Sequence, residues 1–120
     1  MASQTINGDT LAATYAVGTA ASIRISAVIG DGQLGDSAVW LDTNLLTTGD
    51  VNHFDIGTPE QLRGHQLKFR SIASDLNPMT NRTSVTYFLA GGTTDDDYTL
   101  TKQVANDGDS VVYEATFQLL

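Results

Sequence analysis

The chain contains no cysteine. That excludes a disulfide framework, a thiolate nucleophile and any cysteine-ligated zinc, and it removes the usual guide to redox compartment. Basic residues are also scarce, six against fourteen acidic ones, for a formal net charge of -8 at pH 7. Such a field repels phosphate backbones and anionic lipid headgroups, so neither nucleic-acid binding nor membrane association is expected. No stretch reaches the roughly 18 consecutive apolar residues of a membrane-spanning helix, and membrane insertion is therefore not expected either. The opening "MASQTINGDT" has neither a basic n-region nor an apolar h-region, so it does not read as a signal peptide. Scarce lysine beside abundant Thr, Ser, Gly and Asp is compatible with extracellular or surface exposure, although composition does not fix the compartment.

What is present describes a folded domain. Hydrophobic residues make up 41% of the 120 positions and charged residues 17%, an ordinary globular balance for a soluble protein. A chain of this length buries roughly two-thirds of its unfolded surface around one core, so residues 1–120 are expected to form one domain. Twelve of the acidic residues are aspartate. Aspartate bonds to nearby backbone in turns whereas glutamate favours helices, and the bias points to a turn-rich chain.

Period-two alternation is the dominant pattern. In "SVVYEATFQLL", Val111, Tyr113, Ala115, Phe117 and Leu119 share one face. In "SIRISAVIG", Ile23, Ile25, Ala27 and Ile29 alternate against Ser22, Arg24, Ser26 and Val28. "TLAATYAVG" alternates Leu11, Ala13, Tyr15 and Val17 with small or polar residues, which suits a sheet edge. "SAVWLD" and "NHFDI" are shorter candidates. In "HQLKFRSIASDL", Leu67 and Phe69 share a face but Ile72 falls on the other, a phase shift that a β-bulge near Ser71 would produce. "SVTYFLA", apolar on both faces, reads as a central strand covered on both sides, and "DYTLTKQV" alternates Tyr98, Leu100 and Val104. "ANDGDS" between Val104 and Val111 reads as a hairpin turn.

One helical signal interrupts the strands. "TPEQLRG" supplies Thr58 as N-cap, Pro59 at the first helical position, Gln61 for a capping box and Gly64 to end the turn. About eight short strands and one helical turn near residues 59–63 predict an all-β, single-domain antiparallel β-sandwich, Ig-like or jelly-roll in topology.

Candidate chemistry is sparse. "GGTTDDDYT" places Asp95, Asp96 and Asp97 in a row, and these are the candidates for a metal site, calcium being the ion that takes such oxygen ligands. Consecutive residues of an extended chain point to opposite faces, and the spacing is not that of an EF-hand loop, so a solvated turn is the preferred reading and no cofactor is expected. His53 and His65 lie on separate elements without metal-ligand spacing. His53 and Asp55, two apart on one strand, share a face on which a carboxylate could orient an imidazole. No serine sits in GxSxG or SxxK, so no catalytic residue is assigned and an enzyme is not expected. "GDGQLG" leads into a strand rather than a helix, and reads as a turn instead of a phosphate cradle. The Asn81-Arg82-Thr83 sequon is the kind of feature that sits in a surface loop.

Trp40 is the candidate ligand-binding residue. In "AVWLD" either Val39 and Leu41 or Ala38 and Trp40 face inward, and an outward indole joined by Tyr15, Tyr87, Tyr98 and Tyr113 could stack on carbohydrate. Core burial is the commoner fate of aromatics at this spacing. With catalytic motifs absent, the expected function is a non-enzymatic interaction or assembly module that acts through protein–protein contacts or self-association. The alternative is a carbohydrate-binding module, with or without calcium support.

Overall fold

The computed structural model describes residues 2–120 and is a two-layer β-sandwich. One five-stranded sheet has the order β1 (Ala2–Asn7), β9 (Asp96–Gln103), β8 (Arg82–Ala90), β3 (Ile23–Ile29), β6 (Val51–Gly57). The other has the order β2 (Thr10–Tyr15), β10 (Ser110–Leu119), β7 (Gln66–Ser74), β4 (Leu34–Leu41), β5 (Asn44–Gly49). Interior pairings are antiparallel, whereas β1 joins β9 and β2 joins β10 in parallel. The chain changes sheet at both flanks of the sandwich. Gly8 and Asp9 carry it from β1 to β2, and Asp50 alone separates β5 from β6.

The inward faces follow the period-two pattern. Val111, Tyr113, Ala115, Phe117 and Leu119 are all buried, facing Ile23, Ile25, Val85, Tyr87, Leu89, Tyr98 and Leu100 of the opposite sheet. At the centre Phe117 meets Phe69 edge-on, with ring centroids 5.8 Å apart, and Tyr98 at 5.4 Å, while Phe69 packs on Tyr87 at 4.5 Å. Each such ring contributes about 1.5–3 kcal/mol by leaving water, and tilted or edge-on contacts add to that. Tyr87 and Tyr113 carry hydroxyls into this core, and both are satisfied. Tyr87 donates to Ser71 Oγ at 2.8 Å, and Ser71 lies 2.6 Å from Ser37 Oγ. Thr83 Oγ1 donates to the Lys102 carbonyl at 2.8 Å, which leaves its lone pairs for the Tyr113 hydroxyl at 2.5 Å. Burial pushes the pKa of both phenols up, so they remain neutral donors.

The predicted helical turn forms as α1 (Pro59–Leu62). Its capping box is complete: Gln61 N donates to Thr58 Oγ1 at 3.4 Å and Thr58 N to Gln61 Oε1 at 3.0 Å. Leu62 is fully buried, so the turn closes one end of the core. At the opposite end Gln33 ties the β3–β4 loop to the β7–β8 loop and the start of β8. Its Nε2 donates to Asp75 Oδ1 (2.9 Å) and the Arg82 carbonyl (3.0 Å), and its Oε1 accepts from Leu76 N and Asn77 N, both at 2.8 Å.

Four local expectations are corrected. Strand β7 has no bulge: Leu67, Phe69, Ser71 and Ala73 all point inward and its register on both neighbours is unbroken. The apparent phase shift arose because a hydrogen-bonded serine holds a core position while Ile72, 44% exposed, stands outside. Strand β8 is central but covered on one side only, and Phe88 projects from the open face at 39% exposure. "ANDGDS" is no hairpin, because β9 and β10 belong to different sheets and the loop crosses between them. The described residues form ten strands instead of about eight, the additions being β1 and β5.

If this alternation is what holds the sheets together, Phe117→Ala loses about 3–5 kcal/mol of unfolding free energy through transfer and cavity terms. Gln118→Ala, one residue along on the open face, stays within about 0.5 kcal/mol. Denaturant titration of the two variants checks this, and equal losses would contradict the assigned strand phase.

Candidate interaction surface

The three aspartates sit where β8 turns back into β9. Gly91 takes φ +98°, and a side chain there would run into the Ser22 carbonyl; one at Gly92 would meet the Ala16 carbonyl and the Tyr15 ring. The loop can lie this close because Tyr15, 2% exposed, reaches up from β2 to hold it. The Tyr15 hydroxyl donates to the Thr94 carbonyl at 2.7 Å and accepts from Gly92 N at 3.0 Å. Its ionisation is pushed up first by burial, and further by nearby Asp95 and Asp96, while the Gly92 bond acts in the opposite sense. "GGTTDDD" is therefore a hairpin loop pinned to the opposite sheet.

Two of the carboxylates are directed at that loop. Asp95 Oδ1 accepts from Gly91 N at 3.2 Å, and Asp96 Oδ1 accepts from Thr94 Oγ1 at 2.8 Å. Asp97 stands opposite Phe88 and Ser3 in the sheet register. With Arg24, His53 and Phe88, the three line an open cleft of about 350 Å³ on the outer face of the first sheet. Among the described residues, no three of His, Asp and Glu are placed to hold a metal ion.

His53 and Asp55 are both exposed but do not bond to each other. His53 takes φ +49° where the β3–β6 register shifts, and its backbone N donates to Ser26 Oγ at 2.9 Å. Asp55 Oδ1 instead accepts from Gly57 N at 2.9 Å. The pairing that exists was not evident from spacing: His65 Nδ1 lies 2.5 Å from Asp42 Oδ2, and Asp42 Oδ1 accepts from Gln66 N at 3.0 Å. The Gln66 amide, with His65 second, holds the Asp42 carboxyl below its usual range. These residues are 23 apart in sequence; only the turn residues of "LDTN" and Gly64 hinted that both sit at loop ends. Among the described residues neither imidazole takes a hydrogen bond from a serine or threonine hydroxyl.

Val39 is fully buried, which places Trp40 on the outer face of the second sheet, half-buried opposite Leu45 and Lys68. It borders a shallow groove with Asp36, Thr48, Arg70 and Ile72. Tyr15, Tyr87, Tyr98 and Tyr113 are all buried, so none of them extends Trp40 into an aromatic platform. The sequon lies at the start of β8, but Thr83 is fully buried. With its amide oriented to suit its neighbours, Asn81 donates to Asp75 Oδ2 at 3.0 Å and Asp107 Oδ1 at 2.7 Å. Asn81 thus holds two loops together, and Thr83 ties β8 to β9 and β10.

The sheet margins remain. Strands β1, β2 and β5 carry no charged residue and no proline, whereas β6 carries Asp55 and the left-handed His53. Margins present unpaired N–H and C=O groups, and lysine, proline and bulges are the usual means of blocking them. Register shifts interrupt β5 near Val39/Trp40 and β6 on both sides of Ile25, but β1 and β2 run without interruption.

Comparison with models of known families, with curated proteins and with solved structures finds no match. For the aspartate hairpin, thermal melts in chelator and in millimolar calcium are expected to coincide. A calcium-dependent rise in melting temperature that disappears in Asp97→Asn would contradict the pinned-loop reading, since an ion site at about a thousand times its dissociation constant adds about 4 kcal/mol.

Proposed function

We propose that this chain is a non-enzymatic interaction or assembly module that works by protein–protein contact through its open sheet margins, self-association included. The observation that carries the reading is the absence of any charge or proline from β1, β2 and β5, in a molecule whose net charge is -8. A protein this acidic has ample charge with which to block its margins and, Asp55 of β6 apart, has placed it elsewhere. Each unpaired backbone group then offers a hydrogen bond to an incoming strand, the mode by which extended segments add to a sheet. Supporting the non-enzymatic half, among the described residues the two histidines do not converge, and neither imidazole is hydrogen-bonded to a serine or threonine hydroxyl: His65 bonds Asp42, and Ser26 Oγ accepts from the backbone N of His53.

The reading predicts that the wild-type protein sediments with a mass that rises with concentration. Lysines at three exposed margin positions, Thr5→Lys, Thr14→Lys and Thr48→Lys together, should return it to the monomer mass without altering its circular dichroism, because lysine on a margin opposes strand addition. A wild type that stays monomeric to about millimolar concentration, in the range where weak contacts of about 4 kcal/mol become visible, with the triple variant indistinguishable from it, would contradict the reading.

A further inference from the structure

The assembly reading leaves open which margin pairs and with what. The backbone pattern of β2 answers both. Glu114 N donates to the Asp9 carbonyl and Leu120 N to the Tyr15 carbonyl, each at 2.9 Å, and Val17 N donates to the Leu120 carbonyl at 3.0 Å. In a parallel ladder the residues that bond a neighbour do so at alternate positions, using both N–H and C=O toward the same side. Leu11 and Ala13 therefore face β10, and Thr10, Ala12 and Thr14 turn both backbone groups to the open margin. Their side chains are exposed, small and uncharged.

We infer that β2 pairs antiparallel with β2 of a second copy of this chain about a two-fold axis at Ala12, an inference that rests on the assembly reading. A two-fold contact requires a segment complementary to itself. With Ala12 opposite the second copy's Ala12, each Thr10 falls opposite a Thr14. The three outward residues of each copy then exchange every free N–H and C=O, and the two five-stranded sheets join into one of ten strands. Threonine opposite threonine is a favourable cross-strand pair, and alanine at the axis leaves room for close approach. The charges beside β2 are Asp9, paired with Lys102 Nζ at 3.1 Å, and Glu114, opposite Thr10 on β10 and 3.7 Å from Lys68 Nζ. The register places the two Asp9 carboxylates about 20 Å apart along the strands, about two Debye lengths in physiological salt.

The other margins fit this role less well. Register shifts break β5 and β6, and β6 also carries Asp55 and the left-handed His53. Strand β1 is uncharged and regular, but its outward residues include Asn7 and Ser3, poorer strand formers than threonine.

Because the native chain has no cysteine, a single introduced thiol reports the register directly. Hydrogen-bonded antiparallel partners have Cα atoms about 5.5 Å apart, inside the range of about 4.4–6.8 Å that a disulfide spans. Ala12→Cys should therefore oxidise to a covalent dimer. Thr10→Cys alone and Thr14→Cys alone should not, since each thiol lies about 13 Å along the strand from its own copy. The double variant Thr10→Cys/Thr14→Cys should cross-link again. Equal cross-linking of all three single variants would signal random collision and overturn the inference. A wild type that associates while Ala12→Cys stays unlinked would overturn this pairing but leave the assembly reading standing. A wild type that remains monomeric at every concentration would overturn both.

Discussion

Two open sheets packed face to face can bury every inward side chain and still leave the backbone unsatisfied at their outermost strands. This constraint governs the molecule, because a hydrogen-bonding group that loses water without a partner costs more than most side-chain contacts return. The interior meets it fully. Among the described residues no buried side-chain nitrogen or oxygen lacks a partner: the core hydroxyls of Tyr87, Ser71 and Ser37 are chained together, and that of Tyr113 is paired with Thr83 Oγ1. The margins meet it only through water or through another chain. At β6 the bulge at His53 and the charge of Asp55 turn the strand away from partners, while β2 lies straight and uncharged.

The same rule accounts for the loops. Tyr15 spans from β2 to the β8–β9 hairpin, Gln33 binds the β3–β4 loop to the β7–β8 loop at one end, and the capping box at Thr58 closes the other. In each case a polar side chain answers backbone groups that no strand reaches. The aspartates belong to this pattern. Asp95 accepts from Gly91 N, Asp55 from Gly57 N and Asp42 from Gln66 N, so the acidity of the chain is in part the cost of stabilising tight turns with carboxylates. This leaves the strands of the β1–β2 flank free of charge.

The sandwich class, the inward face of β10 and the capped turn were legible in the sequence because each rests on local spacing. Strand β1 was not, since "ASQTIN" has too few apolar residues to alternate, nor was β5, where the register shift sets Leu45 and Leu46 side by side. Ser71 misled for the converse reason: a serine looks outward by composition, and only the hydroxyls of Tyr87 across the core and of Ser37 on the neighbouring strand make its burial favourable. The small residues of β2 correctly marked a margin. Which of its amides face outward could not be read, because that depends on β10, some hundred residues away in the chain.

The central claim, that β2 is an open margin completed by a second copy, is tested most directly by amide hydrogen exchange along that strand as concentration rises. The amides of Leu11 and Ala13 donate within the sheet and should be protected throughout. Those of Thr10, Ala12 and Thr14 should exchange freely in dilute solution and gain protection in concentrated solution, in step with one another and with the increase in mass. Free exchange at these three amides at every concentration, with protection appearing instead on β5 or nowhere, would contradict the account.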